Sequence, residues 1–295
     1  MNQIKELIMK LSHVFLSLLL TSGLNLAYAT TLAATNTAAP QATAADYKPV
    51  QGQAGKDVIW IPTPEGLIDK MLSTAKVSSQ DKVFDLGAGD GIIAITAARK
   101  YGAQSVGIEF NPDMAQFARR KVAEAGVADK VKIITGDIFQ EDFSSATVVT
   151  LYLMPQLNLK LRPILLNMKP GTRVVSHAFN MGDWEPDEKI ADQHARAYFW
   201  VVPAQIEGAW VVSGLDGGPM RLNLSQSYQQ IGGTLSRGGQ SFALLGARLS
   251  GDELKFQFVT PDKKVNTFSG RWQGQRLTGT VDSDYRQTLV EITRP

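Results

Sequence analysis

Apolar positions recur along this chain in two rhythms, and the change between them falls near residue 203. Upstream, short apolar runs at Lys82 to Asp85, Ser105 to Phe110, Val131 to Thr135, Ala146 to Leu153 and Thr172 to Phe179 have the length and bounding turn residues of buried strands. Between them, Ile92 to Tyr101, Pro112 to Ala125 and Leu157 to Asn167 carry the 3.6-residue spacing of amphipathic helices. Trp60-Ile-Pro-Thr-Pro64 fixes an extended lead-in, and Glu65 to Leu72 follows as a short helix. Strand and helix alternating at this interval predict a doubly wound, mostly parallel sheet covered on both faces.

Downstream of Pro203 the helical spacing ends and glycines punctuate short alternating runs. Leu254, Phe256 and Phe258 interleave with Lys255 and Gln257, which puts one face on a core and the other in water. Gly246-Ala-Arg-Leu-Ser-Gly251 and Gly270-Arg-Trp-Gln-Gly274 read as related hairpin units, so a C-terminal antiparallel all-β domain is predicted, a small barrel or curled sheet. At the other end, Lys5 and Lys10 precede an apolar run and then Ala27-Tyr-Ala29, the three-part pattern of a secretion signal cleaved after Ala29. Polar, alanine-rich residues follow. The expected organisation is a signal peptide over 1–29, a flexible linker over 30–56, a ligand-binding α/β domain over 57–204 and an all-β domain over 205–295, with the mature chain periplasmic or secreted.

Composition narrows the chemistry. The 295 residues contain no cysteine, which removes disulfides, thiolate nucleophiles and cysteine metal sites. Only His13, His177 and His194 occur, too few for a histidine-rich metal centre, and no metal site is predicted. The formal net charge of +2 falls to +1 without the leader. That even balance argues against nucleic acid as the main partner.

The most informative stretch is Val83-Phe-Asp85-Leu-Gly87-Ala-Gly89-Asp90-Gly91, a strand running through a glycine turn into a helix. Glycine allows positive φ and lets a ligand touch the backbone. The dinucleotide fingerprint spaces its second and third glycines by three, whereas Gly91 follows Gly89 by two and acids flank the turn. A pyrophosphate would be repelled there, and a cation attracted. S-adenosylmethionine, with its sulfonium and ammonium and no phosphate, fits. Glu109 ends the next strand at the spacing of a ribose-binding acid, and Asp137 follows the third strand in Gly136-Asp-Ile-Phe139. Acids thus end three successive strands, where α/β sheets bind ligands. Glu109, read as a solvent-facing strand-end acid, is expected to contribute little to folding.

These motifs resemble those of the class I, seven-strand S-adenosylmethionine-dependent methyltransferases, over about Asp57 to Val202. The resemblance implies a Rossmann-like fold in which Asp85, Gly87, Gly89 and Gly91 cradle the methionine part, Glu109 holds the ribose, and Asp137 with Ile138 contacts the adenine. The Pro-Thr-Pro lead-in and Asp-Leu-Gly-x-Gly-Asp-Gly are also similar to the ATP synthase c-subunit lysine methyltransferase group and its bacterial relatives. After the fourth strand the chain has Tyr152-Leu-Met-Pro155 in place of the Asp or Asn and Pro-Pro-aromatic of amine and base methyltransferases. That departure weighs against nucleobase methylation and leaves the acceptor a protein, in particular a protein lysine, or a small molecule. Tyr152, His177, Asp183 and Trp184 are the substrate-side candidates. His177 reads as a strand-end histidine rather than a base, Asp183 as a turn residue and Trp184 as a loop anchor. The alternative is an exported nucleoside-binding protein without turnover, its β domain attached to envelope material, since an exported enzyme would work away from the compartment that makes its cofactor. An inefficient leader would instead keep the enzyme inside.

Overall fold

The computed structural model describes residues 47–57, 59–193, 195–284 and 286–295. The expected leader, residues 30–46 of the expected linker, and His194 lie outside them. Strands β1 (Lys82–Leu86), β2 (Gln104–Glu109), β3 (Val131–Thr135), β4 (Val148–Leu151), β5 (Arg173–His177), β6 (Glu188–Asp192) and β7 (Ala195–Val201) form one sheet in the order β3-β2-β1-β4-β5-β7-β6. The first five are mutually parallel, and β7 runs antiparallel between β5 and β6. This is the predicted Rossmann-like sheet. The antiparallel hairpin β6–β7, absent from the sequence reading, completes it.

Period-two alternation divides the core cleanly. Val83, Val148 and Val175 turn to one face, beneath helices α1 (Glu65–Thr74) and α2 (Ile92–Tyr101), and their neighbours Phe84, Val149 and Val174 turn to the other. Helix α3 (Pro112–Glu124) covers β2 and β3 on the first side, while α4 (Pro155–Leu166) and the loop carrying Trp184 cover the second. Among the described residues coverage is therefore unequal, three helices against one. Local signals set the ends of these helices. Asn111 caps α3 by accepting from Asp113 N and Met114 N ahead of Pro112. Gly91, at φ 78°, supplies the left-handed turn that opens α2.

The lead-in is longer than expected. Within the segment assigned to the linker, Tyr47 lies edge-on to Phe117 of α3 and its carbonyl accepts from Arg120. Gly52 N donates to the Trp60 carbonyl, and Trp60 N to that of Gln53. Residues 47–57 and 59–64 thus form a strap laid across the ends of the parallel strands, so the boundary at 56 comes too late. The sequence hid it because one aromatic anchor among alanines and glutamines gives no periodic signal.

The C-terminal strands β8 (Gly208–Ser213), β9 (Met220–Ser227), β10 (Gln230–Arg237), β11 (Gln240–Ala243), β12 (Leu245–Ser250), β13 (Glu253–Val259), β14 (Val265–Trp272), β15 (Arg276–Ser283) and β16 (Arg286–Thr293) make one antiparallel sheet. Pairing of β8 with β9 and β16, together with β9 with β10, closes it into a barrel, with the β10–β12 seam joined only at Gln230 and Arg248. Leu254, Phe256 and Phe258 fill the interior with Trp210, Phe268 and Ile292, while Lys255 and Gln257 face water. A Cβ on Gly279 would fall 2.3 Å from the Ser269 carbonyl oxygen, so the β14–β15 approach there tolerates only glycine.

The barrel is seated on the parallel sheet through the loop after β5. Trp184 is fully buried, 5.7 Å from Trp200 and stacked at 6.1 Å on Tyr228. Its indole N–H donates to Gln229, and its carbonyl accepts from Trp200 Nε1 at 2.8 Å.

Candidate functional site

The carboxyl ends of β1, β2 and β4 open on a cavity of about 330 Å³, within the range of small-molecule sites. A smaller space of about 80 Å³, shared through Gly55, Gly87, Glu109 and Leu153, continues toward Asp137 and Ile138. The cofactor residues drawn from the motif converge on these two spaces. Gly87 (φ 79°) and Gly89 (φ 54°) turn the chain beneath the strap, and a Cβ on Gly89 would meet the Trp60 indole at 2.7 Å. Gly91 instead closes against Ala118 and Ile133, so it shapes the turn and helix start rather than the cavity wall.

Asp85 is 2% exposed and accepts from Thr150 Oγ1 at 2.7 Å. Burial, with Asp90 and Glu109 nearby, pushes its carboxyl up to about 7. Asp90 is already paired with Lys121 Nζ at 2.5 Å, which leaves Asp85 and Glu109 as the carboxylates available to a cation. Asp137 is held below the ordinary carboxylate range, chiefly by the Phe139 amide and then by Lys56 at 3.0 Å. Lys56 also lies 4.3 Å over the Phe110 ring, so the strap reaches the adenine end of the motif.

Glu109 departs from its expected character. It is largely buried, and its two oxygens accept from Gly89 N at 2.9 Å and Asn111 N at 2.8 Å. Burial raises its pKa, and those amides oppose the shift. The carboxylate therefore splints the glycine turn to the α3 cap. Glu109→Ala is expected to weaken S-adenosylmethionine binding ten- to a hundredfold, from the loss of charge-assisted bonds worth roughly 1.5–3 kcal/mol. It should also lower the melting temperature of the free protein, against the expectation for a solvent-facing acid. Calorimetric titration and a thermal melt check both, and an unchanged affinity would remove Glu109 from the site.

The substrate-side candidates separate. Tyr152 lines the cavity with Trp60, Met154 and Phe179. His177 lies behind it, 5% exposed, with ring centroids 3.8 Å apart and Nδ1 3.0 Å from Thr63 Oγ1. Burial drops its pKa to about 4, so at neutral pH it is an uncharged ring. Asp183 and Trp184 are not in the site: Asp183 is exposed and holds Arg162 and the Tyr228 hydroxyl, and Trp184 anchors the barrel. A position just after a strand end suggested the site, but the Met181–Trp184 bridge turns this loop toward β9–β10 instead. The strap residues Trp60 and Thr63 were missed as site residues, although the two prolines around Thr63 were the signal that the strap is fixed.

The ANTKMT methyltransferase domain family matches residues 85–188, from the first motif acid to the start of β6. A protein-lysine N-methyltransferase of Saccharolobus islandicus is 44% identical over 135 residues, covering 45% of this chain and 84% of that one. The chain belongs to this methyltransferase family. Its cofactor is S-adenosylmethionine, and turnover rather than nucleoside binding alone is the activity the family supports. The ATP synthase c-subunit lysine N-methyltransferase of Mus musculus is 35% identical over 114 residues; that match covers 37% of this chain and 44% of the mouse protein. A solved Salinibacter ruber structure, described as an RNA methyltransferase in complex with S-adenosyl-L-homocysteine, is 51% identical, covering 50% of this chain and 96% of that one at a TM-score of 0.49. The family match ends before the barrel strands begin.

The residues present suit the cofactor. Backbone at Gly87 and Gly89 leaves room along the turn, Asp85 and Glu109 offer negative charge to an ammonium and to ribose hydroxyls, and Ile138 gives a base an apolar surface.

Proposed function

We propose that this methyltransferase acts on the side-chain amine of a protein lysine. The observation that carries this reading is the lining of the larger cavity: beyond the cofactor turn its walls are mostly apolar or aromatic, with Gln53, Thr63 and Asn111 as uncharged polar members, its charged members are Asp85, Asp90 and Glu109, and no Lys or Arg lines it among the described residues. A cationic amine with an aliphatic stem is the complementary acceptor. The descriptions of the Saccharolobus and mouse relatives as lysine methyltransferases support it.

When bound, the cofactor supplies a methyl group on a positively charged sulfur, open to in-line displacement. The chain's work is positioning and water exclusion, which can supply on the order of 7–11 kcal/mol of the barrier. Trp60, Tyr152 and Phe179 wall the approach and strip water from the arriving ammonium, which lowers its pKa and favours the neutral amine. No protein nucleophile is required.

The leader pattern would place this reaction outside the cytoplasm, and one experiment addresses both points. The full chain is incubated with methyl-labelled S-adenosylmethionine and, separately, envelope and cytosolic protein fractions. Label in methyl-lysine after hydrolysis is the expected result, strongest with envelope protein. Label confined to small molecules or RNA would overturn the lysine reading, and methyl-lysine in cytosolic protein alone would overturn the place of action.

A further inference from the structure

We infer that His177 is a positioning residue, which fixes Tyr152 from behind as the aromatic wall past which the methyl acceptor approaches and ties that wall to the strap through Thr63. The inference deepens the methyl-transfer reading of this site and holds for any amine acceptor.

Three observations converge. Tyr152 directly follows β4, and of the two stacked rings only Tyr152 faces the cavity; His177, at the end of β5, is screened from it. The centroid distance of 3.8 Å at a 35° tilt is closer than the 4.5–7 Å usual for aromatic pairs, so movement of one ring requires movement of the other. The free edge of the imidazole is engaged by Thr63 Oγ1 at 3.0 Å, and Thr63 sits between Pro62 and Pro64, whose rings restrict the strap. One buried side chain thereby connects β4, β5 and the strap. Among the described residues the Tyr152 hydroxyl has no hydrogen-bond partner, so the stack and surrounding packing, rather than a polar tether, hold its ring in place.

Chemistry explains why an imidazole suits this position. The cofactor sulfonium and the arriving ammonium are both cations, and a protonated side chain beside Tyr152 would repel each of them. Burial keeps His177 neutral. It thus provides a flat ring and one hydrogen bond without adding positive charge, which neither Lys nor Arg could do.

The test follows Tyr152 in the full chain with ¹³C-labelled tyrosine rings, its signal identified by its loss in Tyr152→Phe, and measures S-adenosyl-L-homocysteine affinity by calorimetry on the same samples. In His177→Asn the Tyr152 signals should broaden and move toward those of an exposed tyrosine. His177→Phe, which keeps a ring there, should restore the shift, and affinity in the two His177 variants should stay within about threefold of wild type. Thr63→Val, which removes the tie and leaves the stack, should broaden the signals; it decides the matter if His177→Asn does not fold. Unchanged Tyr152 signals in His177→Asn or Thr63→Val, or failure of a folded His177→Phe to restore them, would overturn the inference. So would a collapse of affinity in folded His177→Asn, which would make His177 a cofactor-site residue. Absence of methyl-lysine in the transfer experiment would sink the lysine reading alone, because these signals do not depend on the acceptor.

Discussion

Asp85→Asn is expected to weaken S-adenosylmethionine binding roughly a hundredfold and, at pH 8, to raise the melting temperature of the free protein. The two effects have one cause. The Asp85 carboxyl is buried at the end of β1, with Thr150 donating to it and Asp90 and Glu109 repelling its charge. An ordinary aspartate ionises near 3.8, but this one is pushed up to about 7. Between those values the unfolded chain has given up the proton and the folded chain still holds it, so stability falls as pH rises and is lowest above about 7. The cost is on the order of a few kcal/mol. Asn keeps the oxygen that accepts from Thr150 and carries no charge, so it escapes the penalty; its melting-temperature advantage over wild type should be small at pH 4 and grow toward pH 8. The same charge attracts the cationic cofactor, hence the loss of affinity. Melts at several pH values with calorimetry at pH 8 decide it: a pH-independent gap, or unchanged affinity, would refute this account of Asp85.

Trp184→Ala should cost about 3–5 kcal/mol of stability, the usual loss for deleting a fully buried large aromatic, while folded protein binds S-adenosyl-L-homocysteine within about threefold of wild type. The side chain packs between Trp200 and Tyr228, and its N–H is bonded to Gln229. Removing it leaves a void between sheet and barrel and an unpaired Gln229 oxygen. Denaturant unfolding followed by circular dichroism measures the cost. Near-wild-type stability with lost methyl transfer would return Trp184 to the substrate side, where its place in sequence first suggested it belonged.

These two residues also show what was legible beforehand. Asp85, Glu109 and Asp137 were readable as strand-end acids because a parallel sheet puts successive strand ends side by side, and an acid at or near the end of each of three strands is a pattern in one dimension. The C-terminal strands were readable through alternation, as at Leu254, Phe256 and Phe258. Trp184 was not, because its partners Tyr228 and Gln229 lie more than 40 residues away in the β9–β10 turn of the barrel, and nothing local signals such a pairing. The strap was hidden for a related reason: Tyr47, Trp60 and Thr63 act through isolated contacts with α3, the glycine turn and His177, each distant in sequence. Strands β6 and β7 escaped notice because an antiparallel hairpin at the sheet edge breaks the strand-helix alternation that made the rest visible.

The closed ring of the barrel also protects the chain. An open antiparallel sheet of this size would present two rows of unpaired amides and carbonyls, a template for joining another molecule edge to edge. Here β8 meets β16 and β9 meets β10, so those edges are used up. The thin point is the seam, where β12 touches β10 at Gln230 alone and then diverges. The short β11 fills that opening, pairing with β10 from Thr234 to Arg237, so the backbone groups β10 would otherwise offer to a neighbour are spent within the same molecule.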